Sequence, residues 1–264
     1  MASEKYVPLD LGNVADIICC PGGIEIEGKG MKGDIGKTVS WRRDMLRMGM
    51  EGIIQYQEDV PVGFVEYMPT EQVPMPVVGP GTCTLMCFHW KGEDMKHLEM
   101  EHELLKRVLE KCRKDHSGMA ALGWDHPVHF PVSMMEELGF ITVERQDYLH
   151  LMWTPFENGA DCPEFAEPCQ PPAPTDRKIV IDQGYSNRCP YSIHYARKIR
   201  DIIDDVGRKN VEYALHRVDT REESMKVTIR PWNWDWLYIN DKRIDVFATD
   251  ERTIVELIKA PLSQ

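Results

Sequence analysis

The stretch VVGPGTCTLMCFHW, residues 77–90, is rich in apolar, β-branched and aromatic side chains and is interrupted by Gly-Pro-Gly at 79–81. This composition predicts a long β-prone run. The run leads through residues 91–92 into a helical pattern. The apolar members of that pattern share one face: Leu98, Leu104, Leu105, Val108 and Leu109. A buried strand followed directly by an amphipathic helix predicts an α/β unit.

Weaker patterns on both sides of this strand complete the unit. Residues 52–56 and 62–67 predict two strands joined by a polar turn at 57–61. After the helix, the predicted elements are a strand at 119–123, a short helix at 132–138 closed by Gly139, and a strand at 148–153. Together they predict a mostly antiparallel sheet with flanking helices.

A proline-rich stretch divides the chain. Residues 158–175 lack a periodic apolar pattern and carry Pro163, Pro168, Pro171, Pro172 and Pro174. Such a segment is typical of an extended linker rather than of a helix or a central strand. The sequence therefore predicts a first domain over 1–157, a linker over 158–175 and a second domain over 176–264.

The second domain has a more regular pattern. The predicted elements are a strand at 178–182, a helix at 190–206 stopped by Gly207, a strand at 211–218, a hairpin of 236–240 and 242–247, and a closing helix at 251–259. The order is βα, β, ββα, so both domains fall in the α/β (α+β) class.

Composition excludes several classes of function. The 264 residues carry a net charge of −12 with 42% hydrophobic residues, which is typical of a globular protein. An acidic chain without a basic run argues against nucleic acid and against anionic membranes. The first ten residues lack signal-peptide features, so we expect a cytoplasmic protein. Eight cysteines without a CxxC pair predict neither a disulfide scaffold nor a metal site.

Four stretches in order give residues 1–157 a resemblance to the GNAT superfamily of acyl-CoA-dependent N-acetyltransferases. They are the strand GFVEY at 63–67, the run at 77–90, the helix after it, and ELGF at 137–140. The resemblance implies acetyl-CoA as acyl donor, with a splayed central strand that offers its main chain to the pantetheine arm. On this sequence the corresponding residues are Thr84, Leu85, Met86, Cys87 and Phe88.

The resemblance also implies a glycine-rich loop that binds the pyrophosphate at the start of the helix, where free amides favour an anion. Counting back from the helical leucines places Lys96, Glu99 and Glu101 at the loop positions. Two glutamates there depart from the family pattern and repel a phosphate. In another register Lys91 and Gly92 form the anion loop, so Lys91, Gly92 and Lys96 are the candidate residues.

The position of the usual tyrosine proton donor is Met135, a second departure. Candidates for acid–base work are His126 and His129 in the loop after the strand at 119–123, with Asp125 beside them and Glu66 on the earlier strand. Two cysteines on the long strand, Cys83 and Cys87, are four residues apart, so regular alternation predicts that they face the same side.

The second domain contains Cys189-Pro190-Tyr191-Ser192 directly after a predicted strand and at the start of a helix. A thiolate at a helix start is stabilised by unpaired amides, and proline fits the first turn. This motif resembles the active site of glutaredoxins and other thioredoxin-fold proteins, and the resemblance implies that Pro231 is a cis-proline. Ser192 replaces the second cysteine, so the implied chemistry uses one thiol.

Taken together, the two domains resemble bacterial and archaeal acetyltransferases with a C-terminal YoaP-type domain, and the resemblance spans most of the chain. We predict an acyl-CoA-dependent N-acetyltransferase in which a small-molecule or protein amine attacks the thioester directly, with His126, His129 or Glu66 as base. One alternative is a catalytically degenerate GNAT fold that serves as a binding or assembly subunit of a larger complex. Another is a monothiol redox or thiol-carrier protein that uses Cys189.

Overall fold

A computed structural model describes most of the chain. The described residues are 4–17, 32–90, 96–125, 130–146, 148–167, 179–207, 211–227, 236–240, 242–244 and 249–259. The chain divides into two compact units. The N-terminal unit comprises Met1–Val73 and Val77–Ala166, and the C-terminal unit comprises Pro74–Pro76 and Glu167–Gln264. The division after Ala166 falls within the stretch for which the sequence predicts a linker.

The N-terminal unit is built on strands, with helices between them. The strands are β1 Glu4–Pro8, β2 Glu51–Gln57, β3 Val60–Pro69, β4 Val77–Val78, β5 Cys83–Trp90, β6 Gly118–Trp124, β7 Ile141–Gln146, β8 Leu149–Pro155 and β9 Glu164–Phe165. The helices are α1 Lys32–Arg47, α2 Lys96–Cys112 and α3 Val132–Glu137, with a 3-10 turn at Val14–Asp16.

Seven of these strands form one sheet in the order β1-β2-β3-β5-β6-β8-β7. Neighbouring strands are antiparallel except for the central pair β5 and β6, which is parallel. A parallel pair needs a crossover connection, and α2 lies in the chain between β5 and β6. The two-residue strands β4 and β9 pair separately. The predicted mostly antiparallel sheet is therefore present.

Helices α1 and α2 cover opposite faces of this sheet, because alternate residues of β3 point to opposite sides. Arg42 of α1 reaches Glu66 of β3 with two hydrogen bonds, Nε to Oε2 at 2.7 Å and Nη2 to Oε1 at 3.0 Å. On the other face, Gly63 leaves so little space that an added Cβ would lie 3.0 Å from Leu104 Cδ1 of α2. Gly63 thus permits the close approach of α2 to the sheet.

The C-terminal unit contains a second sheet in the order β11-β10-β12-β13. Its elements are β10 Ile179–Tyr185, α4 Pro190–Val206, β11 Val211–Arg217, α5 Arg221–Val227, β12 Trp236–Ile239, β13 Lys242–Arg243 and α6 Glu251–Lys259. Strand β10 is parallel to β11 and antiparallel to β12. An isoleucine-rich core joins one face of this sheet to α4 and α6, with Ile181, Ile199 and Ile254 among its members.

Helix positions in the C-terminal unit agree closely with the sequence predictions. Helices α4 and α6 have the predicted bounds, 190–206 and 251–259. Gly207, with φ of 97°, closes α4 as predicted, and its N–H donates to the Ile203 carbonyl. The hairpin of β12 and β13 is present, although part of its second strand, residues 245–247, lies outside the described residues. Pro231, the expected cis-proline, lies outside them as well.

Several elements were not predicted. They are β1, the 3-10 turn, α1, β7, α5 and β9, and β9 lies within the stretch predicted as a linker. The run at 77–90 is two strands in different sheets, because β4 pairs with β9 whereas β5 is central in the large sheet. None of the helices in the described part of the chain is long and apolar enough to cross a lipid bilayer.

The buried pair of Arg42 and Glu66 generates a stability prediction. Their side chains are 4% and 0% exposed, so Arg42→Met leaves a buried carboxylate without its cation. We expect the free energy of unfolding to fall by about 3–5 kcal/mol. The measurement is hydrogen exchange, by mass spectrometry, of peptides from β2 and β3 in urea.

The matched control is Arg47→Met on the same helix. Arg47 pairs with Asp44, but both side chains are more than half exposed. The control should cost less than about 1 kcal/mol. Equal losses of unfolding free energy in the two variants would show that the buried ion pair contributes no more to stability than the exposed one.

Candidate functional site

The central parallel pair of strands separates after a short ladder. Among the described residues, strands β5 and β6 pair only at Cys83 with Met119 and at Thr84 with Ala120. Beyond this ladder β5 continues to Trp90 and β6 to Trp124. The facing main-chain groups of residues 85–90 and 121–124 therefore lack a strand-to-strand ladder between β5 and β6. Because buried amides and carbonyls need partners, this slot can accept an extended ligand.

A β-bulge lies where the two strands separate. On β3, Glu66 pairs with Cys87 and Tyr67 pairs with Leu85, so Met86 is the extra residue on β5. A bulge bends its strand and redirects the residues that follow. The bulge also makes one prediction wrong: Cys83 pairs with Pro69 and Cys87 with Glu66, so the two cysteines face opposite sides of the sheet.

Of the five residues of β5 that were predicted to bind the cofactor, Thr84 lies in the ladder opposite Ala120 and the other four lie at the slot. The side chains of all five are buried. Thr84, Leu85 and Met86 are 0% exposed, and Cys87 and Phe88 are also buried. The Thr84 hydroxyl lies 2.9 Å from the Thr70 hydroxyl, in a buried threonine cluster. These side chains are already engaged in packing, so a ligand in the slot would contact the main chain of β5.

Aromatic rings connect the two strands at the wide end of the slot. Phe88 of β5 stacks on Phe130, with ring centroids 4.3 Å apart and planes 11° apart. Phe130 also lies 6.1 Å from the ring of Trp124, the last residue of β6. The Trp124 N–H donates to the Phe130 carbonyl at 3.0 Å, and Phe130 has a positive φ of 51°. The wide end is therefore apolar and bounded by rings.

Glu66 does not have the geometry of a general base. Both of its carboxylate oxygens accept hydrogen bonds from Arg42, and its side chain is 0% exposed. A base must reach the proton of a substrate, and Glu66 is enclosed by its ion pair. The expectation that Glu66 acts as a base is therefore corrected: its carboxylate joins α1 to the sheet.

The remaining predicted residues around the slot lie at the margin of the described chain. His126, His129, Lys91 and Gly92 are outside the described residues. Helix α2 begins at Lys96, directly beyond this gap, and the Lys96 side chain is outside the described part. The start of a helix therefore follows β5, as an anion site at that point requires.

Asp125, at the end of β6, has two partners. Its Oδ1 lies 2.8 Å from His150 Nε2 and its Oδ2 accepts a hydrogen bond from Arg145 at 2.6 Å. His150 lies on β8 opposite Gly123. Sequence reasoning named Asp125 but missed His150. The available signal was one histidine within the otherwise apolar start of the strand Leu149–Pro155.

In the C-terminal unit, Cys189 is the N-cap residue of α4 and Pro190 occupies the first turn, as predicted. The Cys189 side chain is reduced and buried. The preceding loop is fixed by Asp219, whose carboxylate accepts hydrogen bonds from the Asn187 N–H at 2.7 Å and the Ser186 hydroxyl at 3.1 Å. Ser192 completes the loop, because its hydroxyl accepts from the Ser186 N–H at 2.9 Å.

Comparisons with known proteins find similarity among solved structures alone. No protein-family model matches the chain, and no curated protein matches it. One similar structure is a protein assigned to the GNAT family of acetyltransferases from Desulfovibrio desulfuricans, with 14% identity and a TM-score of 0.41. The match covers 59% of this chain and 100% of that one.

Two further structures are similar to the same extent. The aminoglycoside 6'-N-acetyltransferase from Enterococcus faecium has 12% identity and a TM-score of 0.43, covering 60% of this chain and 99% of that one. The PaiA N-acetyltransferase from Thermoplasma acidophilum, in complex with coenzyme A, has 12% identity and a TM-score of 0.39. That match covers 58% of this chain and 99% of the other. Similarity at this level carries no argument about activity, which must come from the residues of the chain itself.

Proposed function

We propose that this chain transfers an acetyl group from acetyl-CoA to the amine of a small molecule or a protein. The observation that supports the proposal is the slot between β5 and β6, with its two-pair ladder and the bulge at Met86. A pantetheine arm is extended and carries two amides, so it pairs with exposed main-chain groups as an added strand does. The buried side chains of β5 leave its main chain as the binding element.

The phosphates of the donor would lie near the start of α2. Helix N-terminal amides favour an anion, and Lys91, Gly92 and Lys96 are the proposed contacts. Glu99 and Glu101 in the same region oppose a phosphate. We therefore infer that the pantetheine arm contributes more of the binding free energy than the phosphates do.

The acetyl thioester supplies an activated carbonyl carbon, which the acceptor amine attacks directly. His126 or His129 would remove the proton from the attacking amine, since both follow Asp125 and the wide end of the slot. The apolar rings of Phe88 and Phe130 would limit water at the reacting carbon.

Binding of the donor tests this proposal. We expect calorimetry to detect acetyl-CoA at micromolar strength, because the main chain of the slot binds the pantetheine arm. Acetyl-pantetheine, which lacks all phosphates, should bind nearly as tightly. Adenosine 3',5'-bisphosphate, which lacks the arm, is the matched control and should give no heat.

The absence of heat and of thermal stabilisation at millimolar acetyl-CoA would contradict acyl transfer. That outcome would favour the alternative in which the N-terminal unit is a degenerate GNAT fold that acts as a binding or assembly subunit. Binding of the bisphosphate alone would contradict the assignment of the slot to pantetheine.

The role of the two histidines is tested with His126→Gln and His129→Gln. Loss of the base should lower kcat for acetyl transfer to a primary amine by about 10²–10⁴-fold in one of them. The affinity for acetyl-CoA should not change, because the proposed donor contacts are elsewhere. Released coenzyme A, followed with a thiol reagent over a panel of amines, is the measurement. His116→Gln, after α2, is the control, and full activity of the double variant would exclude both histidines.

A second candidate function is thiol chemistry at Cys189. Two observations favour it: the cysteine occupies the N-cap position of α4 with proline in the first turn, and Asp219 and Ser192 fix the loop before it. Helix amides facing the sulfur stabilise a thiolate, which is the reactive form of cysteine. Because Ser192 stands in place of the second cysteine of the motif, such chemistry would use a mixed disulfide with another thiol.

Alkylation by iodoacetamide at pH 7, resolved by peptide mass spectrometry, tests this candidate. Cys162 is exposed, but desolvation raises the pKa of its thiol. If Cys189 is a stabilised thiolate, it should react at least about tenfold faster than Cys162 despite its burial. Asp219→Asn should slow the alkylation of Cys189 and leave the alkylation rate of Cys162 unchanged. A slower reaction at Cys189 than at Cys162 would identify the motif as structural.

A further inference from the structure

Three side chains on neighbouring strands form a hydroxyl–imidazole–carboxylate chain. The Thr142 hydroxyl on β7 lies 2.9 Å from His150 Nδ1 on β8. The other ring nitrogen, His150 Nε2, lies 2.8 Å from Asp125 Oδ1 at the end of β6. The sequence positions 125, 142 and 150 follow no motif, and the order of strands β6-β8-β7 brings them together.

The partners determine the direction of the hydrogen bonds. The Asp125 carboxylate accepts only, so His150 Nε2–H donates to it. In the neutral imidazole, Nδ1 then has a free lone pair and accepts the hydrogen bond from the Thr142 hydroxyl. Arg145 donates to the second oxygen of Asp125 at 2.6 Å, which orients the carboxylate.

The exposures of these groups suit a reactive hydroxyl. The His150 side chain is 9% exposed and is therefore held in one orientation, whereas Thr142 is exposed on an edge strand. The register between β7 and β8 shifts after Thr142, so Val143 is a bulge residue. A bulge redirects neighbouring side chains and is common beside active sites. A substrate can therefore reach the hydroxyl while the base remains protected.

We propose that Thr142, His150 and Asp125 form a second catalytic centre that cleaves carboxylic esters or thioesters. A nucleophile within hydrogen-bond reach of a base, which a third group orients, is the general arrangement for covalent acyl transfer. Thr142 is the nucleophile, His150 is the general base and Asp125 is the orienting carboxylate. This centre does not depend on the binding of acetyl-CoA in the slot.

The reaction has two steps. Thr142 Oγ1 attacks the carbonyl carbon while its proton passes to His150 Nδ1, and the bond to the leaving group then breaks. His150 returns that proton to the departing alkoxide or thiolate. In the second step, His150 deprotonates a water molecule that attacks the acyl-threonine, which releases the carboxylic acid and restores the hydroxyl.

Hydrolysis of 4-nitrophenyl acetate by the full-length protein tests this centre. We expect turnover that Thr142→Ala and His150→Gln each reduce by at least about 10²-fold. Thr142→Ser should retain activity, because serine presents the same hydroxyl. Peptide mass spectrometry of the acid-quenched reaction should place the acetyl group on Thr142 itself.

The matched control is Thr253→Ala in the C-terminal unit. Thr253 is half-buried, and its hydroxyl donates to Asp250 at 3.0 Å, so it has a carboxylate partner instead of an imidazole. The control should leave the rate unchanged. Circular dichroism and acetyl-CoA calorimetry on each variant show that folding and the slot are intact.

Unchanged hydrolysis in folded Thr142→Ala, or an acetyl group found only on lysine or cysteine, would overturn the proposal. Absence of protein-dependent hydrolysis in the unaltered chain would overturn it equally. Failure of acetyl-CoA binding together with Thr142-dependent hydrolysis would contradict the proposed acetyl transfer and support this centre. The two proposals are therefore tested separately.

Discussion

Main-chain hydrogen bonding at strand β5 is the constraint on which the N-terminal unit depends. β5 is paired with β3 along its whole length but with β6 at only two positions. Buried amides and carbonyls are rarely left unpaired, so the separated part of the strand has to be satisfied by another group. The bulge at Met86 and the rings at the wide end shape the space in which such a group lies. The proposed function would use the main chain of β5 for binding and its buried side chains for packing.

If the main chain of β5 binds the arm of the donor, the sequence departures near the start of α2 do not decide the function. In the proposed function, Glu99 and Glu101 would oppose the phosphate end of the acyl donor, whereas the slot would hold its uncharged arm. The two ends would then contribute separately to binding. Binding by the main chain also places few demands on residue type. A slot of this kind can therefore persist while the sequence around it diverges.

The sequence was informative where residues showed a clear period or an end signal. Helix α4 has an amphipathic pattern, Pro190 in its first turn and Gly207 after it, so its bounds were predictable. Helix α1 has glycines at 33 and 36 and a mixed pattern, and its position depends on Arg42 reaching Glu66 on a distant strand. Sequence reasoning could not see this contact and so assigned Glu66 to acid–base work.

The bulge on β5 and the role of the histidine on β8 could not be predicted from the sequence, for related reasons. All residues of β5 are buried, so no alternation of polar and apolar side chains reveals the extra residue at Met86. His150 meets Asp125 through the pairing of β6 with β8, and Thr142 joins them through the pairing of β7 with β8. Contacts of this kind arise from strand order, which a single sequence specifies only through the whole fold.

The two-pair ladder between β5 and β6 also has a consequence for motion and folding. It divides the sheet into two antiparallel segments, β1-β2-β3-β5 and β6-β8-β7, and each is formed from contiguous chain. Such segments are natural cooperative units of local unfolding, and their parallel junction requires the more distant contacts that form slowly. The short ladder near Cys83 and Met119 is the strand pairing that joins the two segments. An arm bound in the slot would bridge both segments and stiffen the sheet as a whole.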